Sequence, residues 1–141
     1  TTEGGLDVIK YLEKLMPEVN RMQNLGIKVA LFIEPKSSQI EAASSLGVSV
    51  IELHTGRYSL LANKPKLDEL NLIKDAARQA LGIGMECHAG HGLTFENVLE
   101  IAKIEEIVEL NIGHFLVGEG IFVGLDKAIE HMKSIMVSSR I

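Results

Sequence analysis

Two glycine-flanked histidines carry most of the chemistry open to this chain. The stretch Cys87-His88-Ala89-Gly90-His91-Gly92-Leu93-Thr94 sets an imidazole between two glycines. An imidazole with its ordinary pKa of about 6.5 gives or takes a proton at neutral pH, so His91 is the first candidate for acid–base work. Glycines on either side let a ligand come close to the backbone, and Thr94 is placed to cap a following helix. The competing reading is a turn histidine packed against a neighbouring loop. About twenty residues on, Asn111-Ile112-Gly113-His114 repeats the arrangement. Free N–H groups at a helix start attract phosphate, which makes Gly113 and His114 candidates for an anion site. An ordinary glycine turn is the alternative.

Both corners need strands and helices to hold them. Leu6, Ile9, Leu12, Met16, Val19 and Met22 recur at helical spacing up to Gly26, with Pro17 inside the run. Residues 28–33 (KVALFI) read as a strand buried on both faces. Ser37 or Ser38 can cap the next helix, with Ile40, Ala43 and Leu46 facing inward. Residues 49–53 form a second strand, and residues 58–66 read as irregular. A helix over 67–81 carries Leu70, Ile73, Ala77 and Ala80 on one stripe. A third strand covers 84–88, followed by a short helix marked by Phe95, Val98, Leu99 and Ala102. A fourth strand covers 107–112. A short helix over 114–121 breaks near Gly124, and a last helix over 125–137 buries Ala128, Ile129, Met132 and Met136.

Helices between successive strands imply right-handed parallel crossovers. Within the strands, Glu52 and His54, Glu86 and His88, and Glu109 and Asn111 alternate with apolar residues. The same Glu-x-(His or Asn) pattern therefore falls on the face turned away from the helices. An unpaired carboxylate buried in a dry core costs several kcal/mol, so three on one face require a wet interior. The lumen of a parallel barrel provides one more readily than a doubly wound sheet does. The predicted fold class is α/β, a TIM (β/α)8 barrel of which this chain covers about the second half, because a full barrel takes about 250 residues. Residues 1–141 are expected to form one domain, with a dimer of half-barrels as a lesser alternative. Glu52 then points into the lumen. It can stabilise developing positive charge or transfer a proton, or it can be a structural carboxylate paired with a lumen base. Glu86 and Glu109 read as structural, with partners expected outside this segment because Lys and Arg are scarce near these strands.

Composition narrows the classes. Net charge is −5 with no basic stripe, which argues against nucleic acid as a partner. No run of about eighteen apolar residues is long enough for a membrane span. The single cysteine excludes an internal disulfide and fits a cytoplasmic setting. Cys87 faces the helices by alternation and reads as a small buried hydrophobe rather than a nucleophile. The opening residues, from Thr1, resemble neither a signal peptide nor an initiator region and read like the interior of a protein. His54, His88, His91 and His114 with the nearby carboxylates could instead hold a metal, although their spacing has low specificity. Arg57 and Tyr58 follow the second strand and can line the site's mouth.

The segments TTEGGLDV, LFIEP, IELHTGRY, HAGHGLTFENV and ELNIGH, in this order, strongly resemble the pyridoxine 5'-phosphate synthase family across essentially all 141 residues. That resemblance implies a TIM barrel assembled as a homo-octamer, without metal or organic cofactor. Its phosphorylated small-molecule substrates would be 1-deoxy-D-xylulose 5-phosphate and 3-amino-2-oxopropyl phosphate, condensed to pyridoxine 5'-phosphate, phosphate and water. It implies that His91 is the catalytic proton donor and Glu52 the transition-state stabiliser. Gly92, Gly113 and His114 would bind the aminoketone phosphate, and Thr1 would contact the deoxyxylulose phosphate. The family's other catalytic His and Glu, and its basic phosphate clamp, belong to a first half not found here, so this segment alone is expected to be inactive. Two positions depart from the family pattern: His88 replaces an Asn, and Glu119 replaces an Arg. The competing functions are a metal-dependent barrel lyase or hydrolase and a non-catalytic half-barrel.

Overall fold

The computed structural model describes residues 4–140. Its elements follow in the order α1 (Val8–Asn24), β1 (Ala30–Ile33), α2 (Ser37–Ser45), β2 (Val50–His54), α3 (Gly56–Leu60), α4 (Asn63–Gly82), β3 (Glu86–Gly90), α5 (Val98–Ala102), β4 (Ile107–Asn111), α6 (His114–Val123) and α7 (Leu125–Ser138). The four strands form one parallel sheet in the order β1-β2-β3-β4, each crossover carrying helix. This is an α/β unit consistent with part of a TIM barrel.

The core lies between the sheet and its helices. Leu31, Ile33, Ile51, Leu53, Cys87, Ala89 and Ile107 supply the sheet side. Ile40 and Ala43 of α2 and Leu70, Ile73, Ala77 and Ala80 of α4 pack onto it, on the stripes their spacing predicted. On the opposite face the acids and imidazoles share register: Glu52 lies opposite His88, and His88 opposite Glu109.

Several local expectations change. In α1 the buried stripe is Val8, Leu12, Leu15 and Val19, while Ile9 and Met16 are exposed. Asp7 caps this helix by accepting the Lys10 N–H, so Leu6 lies outside it. The Leu6 N–H instead donates to the Phe32 carbonyl, laying residues 5–6 against β1. Strand β1 buries one face, not two: Ala30 is exposed, and Phe32 is only partly covered. Neither Ser37 nor Ser38 caps α2, because Lys36 holds the cap position and Ser37 Oγ donates to Glu41. Helix α4 starts four residues earlier than predicted, since Pro65 falls in a first turn whose N–H groups need no intrahelical acceptor. Residues 56–60, of which 58–60 read as irregular chain, form α3. In α5, Leu99 is exposed, and Thr94 and Phe95 precede the helix. In α7, Ala128 and Met132 are buried, but Ile129 faces out.

Strand β4 departs most from simple alternation. Cys87 pairs with Ile107 and His88 with Glu109, leaving Val108 unmatched at a bulge. A bulge rotates the strand by one residue. Val108, which alternation places with Leu110 and Ile112 on the helix-facing side, is therefore 62% exposed, and Ile107 takes that place instead. Beyond the bulge Leu110 and Ile112 pack against the core, as their alternation implied.

Candidate active site

The ends of β2, β3 and β4 and the start of α6 frame the candidate site. Strand β3 ends on Gly90, and the chain turns at His91 and Gly92, with φ of 84° and 75°. That region suits glycine and strains a histidine, which holds there only when its surroundings fix it. Thr55, fully buried, fixes the turn: its N–H and hydroxyl lie 2.8 Å from the Gly90 carbonyl, and the hydroxyl also reaches the His91 carbonyl at 2.7 Å. Asn97 fixes the far side, accepting the Thr94 N–H and donating to the Gly92 carbonyl, while Tyr58 donates to the Asn97 carbonyl. Thr55 and Asn97 do not stand out in the sequence. Their signal is only the polar residue types within IELHTGRY and HAGHGLTFENV, and their partners are about 35–40 residues or one tight turn away.

The glycines serve the protein before any ligand. A Cβ on Gly90 would overlap the Glu52 carboxylate and lie 2.7 Å from the Asn111 carbonyl oxygen. A Cβ on Gly92 would lie 2.9 Å from Ser59. The expectation that both leave free space around His91 is therefore corrected: their missing side chains admit neighbouring groups of the chain. Gly113 does differ in this respect, with nothing within 4 Å of its Cβ position.

A cavity of about 650 Å³ is lined by Phe32, Glu52, His91, Gly92, Asn111, Gly113 and His114, among others. The structure thus brings together five of the six residues to which the family resemblance gives site roles. Thr1 lies outside the described residues. Burial pushes the Glu52 carboxyl above its ordinary value, opposed by a hydrogen bond from the Asn111 side chain and by His88, with Glu109 adding to the rise. Gly113 caps α6, and His114 is its first residue, so the first-turn N–H groups border the cavity. His91 also borders a second cavity of about 900 Å³, which reaches Glu34, His54, Arg57 and Lys66.

The remaining polar residues of this face are paired within the chain. His88 sits 2.7 Å from Glu86 and 3.5 Å from Glu109. Lys28 reaches Glu86 at 2.8 Å, so the partners predicted to lie elsewhere are supplied here, across 58 residues of sequence. Lys28 and His88 hold the Glu86 carboxyl below its ordinary value. Arg57 is turned to the buried Glu69 at 3.0 Å and still borders the larger cavity. Glu119 does not line the smaller one. Cys87 faces the core, and burial pushes its thiol up to about 12. Among the described residues no three His, Cys, Asp or Glu side chains gather as a metal site, and no helix is long and apolar enough to cross a membrane.

A parallel α/β sheet that gathers acid, imidazole and a helix N-terminus at the carboxyl ends of its strands has the site layout of the barrel-type α/β enzymes. Comparison with known proteins narrows that class. The family model described as "Pyridoxal phosphate biosynthesis protein PdxJ" matches residues 1–138, and the chain belongs to this family. It is 51% identical over 140 residues to pyridoxine 5'-phosphate synthase of Zymomonas mobilis, covering 99% of this chain and 55% of that protein. It is 50% identical to the Rhodospirillum rubrum enzyme of the same name, covering 96% of this chain and 55% of that protein. It is 48% identical to the Gluconobacter oxydans one, covering 98% and 58%. The chain spans about half the length of the curated relatives it matches.

Proposed function

We propose that this chain forms the C-terminal part of a pyridoxine 5'-phosphate synthase. The reaction is the condensation of 1-deoxy-D-xylulose 5-phosphate with 3-amino-2-oxopropyl phosphate to pyridoxine 5'-phosphate, phosphate and water. The observation that carries this reading is one cavity shared by His91, Glu52 and the Gly113–His114 helix start. In this scheme the aminoketone phosphate docks on the first turn of α6, where free N–H groups and the helix dipole favour an anion. The amine condenses with the ketose as a Schiff base. Phosphate loss, water addition and ring closure follow, each needing a proton moved. His91 delivers protons at the exposed rim. Glu52, in the same cavity and partly desolvated, offsets positive charge on the reacting nitrogen.

Thr1 is assigned to the deoxyxylulose phosphate, and the remaining catalytic groups are assigned to sequence outside this segment. The segment alone is therefore inactive in this reading, and the working enzyme is a cytoplasmic homo-octamer. The test supplies both phosphorylated substrates to the full-length gene product and follows pyridoxine 5'-phosphate by mass spectrometry. Absence of product with a folded protein would sink the assignment.

A further inference from the structure

Beside His91 lies a second imidazole with one nitrogen unaccounted for. His54, the last residue of β2, is only 6% exposed. Its Nδ1 lies 2.9 Å from Glu34 Oε1, the same oxygen that accepts the Gly5 N–H at 3.0 Å. A carboxylate can only accept, so Nδ1 carries the hydrogen, and Nε2 of the neutral ring is left with a bare lone pair. Among the described residues that Nε2 is the buried side-chain nitrogen or oxygen without a hydrogen-bond partner. Buried polar atoms are nearly always satisfied, and an exception calls for an explanation.

The nearest ring able to supply a donor is that of His91. The His54 and His91 rings lie 4.9 Å apart between centroids, tilted by 56°. A Cβ on Gly56 would meet both, at 2.5 Å from His54 Nε2 and 2.8 Å from His91 Cδ2, so both rings pack against the bare Gly56 backbone. Phe32 closes the other side, 5.1 Å from His54 edge-on and 6.4 Å from His91. The charged and titratable groups around His54 are Glu34 after β1, Glu52 on its own strand and His91 after β3. Arg57 of α3 is engaged with Glu69.

We propose that His54 is a positioning residue for His91: its Nε2 accepts one ring N–H of His91 and so dictates which His91 nitrogen faces the cavity. Rotation of the exposed His91 ring toward Gly56 makes this bond, and Glu34 holds the acceptor in the matching tautomer. Protonated His91 then has one N–H on His54 and one on the substrate. After proton delivery the first hydrogen stays and the cavity-facing nitrogen keeps its electron pair, ready for the next proton. The inference rests on the synthase reading for its catalytic consequence but not for its geometry.

The experiment uses the full-length gene product with 15N-labelled histidine and inorganic phosphate as the site probe. The His91 tautomer is read from two-bond 15N couplings across its titration. In the wild-type protein one neutral tautomer dominates by about tenfold, the preference one retained hydrogen bond confers. His54→Phe keeps the ring's bulk and removes the acceptor, so the ratio falls toward unity, and kcat drops about tenfold with KM unchanged. His54→Gln places an amide oxygen near the Nε2 position and restores the bias. Should His54→Phe fail to fold, His54→Gln decides alone, by keeping or losing the dominant tautomer. An unchanged ratio in His54→Phe, or equal loss in both variants, overturns the proposal. A locked His91 in a protein that makes no pyridoxine 5'-phosphate supports it while rejecting the synthase reading.

Discussion

Replacing Gly90 by alanine tests the site's framework at the point where sheet and chemistry meet. The added methyl would overlap the Glu52 carboxylate, 2.7 Å from the backbone oxygen of Asn111 and 3.1 Å from its Cβ. The Glu52 side chain can swing aside. The Asn111 carbonyl cannot, because Gly90 and Asn111 are register partners in the sheet. Strands β3 and β4 must therefore part at their carboxyl ends, and overpacking of this kind costs about 1–3 kcal/mol. With unfolding entropy of about 2 cal/mol/K per residue over a full barrel of about 250 residues, the melting temperature falls by about 2–6 °C. Displacing Glu52 from Asn111 and from the cavity it shares with His91 costs about 10²-fold in kcat, the scale seen when one electrostatic contact to a transition state is lost. Gly113→Ala is the control, since its methyl meets nothing within 4 Å. It should fold with at most about 1 kcal/mol lost at the cap and, in the proposed reaction, act mainly on KM for the phosphate-bearing substrate. Thermal melts and steady-state kinetics on the three full-length proteins decide the matter. A Gly90→Ala protein that melts and turns over like wild type would refute the tight Gly90–Glu52–Asn111 contact and the role built on it.

Other perturbations read separate parts of the structure. Glu52 titrates above its ordinary 4.5 in the folded chain, so the folded state holds its proton more tightly than the unfolded state. The stabilisation is complete below 4.5 and is lost as pH rises through the raised folded value. Glu52→Gln, followed by melts from acid to neutral pH, should flatten that slope, stabilise the protein at neutral pH and abolish turnover. Glu86 runs the other way: its carboxyl is held low by Lys28, so its contribution is present above 4.5 and lost as pH falls through the lowered folded value. Lys28→Met should shift the acid-unfolding midpoint upward. His91→Gly should relieve about 1 kcal/mol of backbone strain at its positive φ while lowering kcat by about 10²–10⁴-fold, which calorimetry and kinetics check together. Cys87, with its thiol up at about 12 and its side chain in the core, should resist alkylation in mildly alkaline buffer until denaturant is added.

Period and spacing in the sequence determine much of this architecture. The polar alternation of β2 and β3, the stripe of α4 and the parallel crossovers follow from local rules, because a strand repeats every two residues and a helix every 3.6. The resemblance carried by HAGHGL and ELNIGH named the family, and the pattern of faces pointed to one side of the sheet for Glu52. Only tertiary structure decided what those rules cannot see. The β4 bulge exposes Val108 because pairing with β3, not periodicity within β4, sets the register there. Lys28 meets Glu86 across 58 residues, and Glu34 meets His54 across 20, by sheet order rather than by spacing. The glycines around His91 looked like room for a ligand, but neighbouring strands and helices fill that room. A chain's periodicities are local, whereas register, ion pairing and close approach depend on which segments the fold lays side by side.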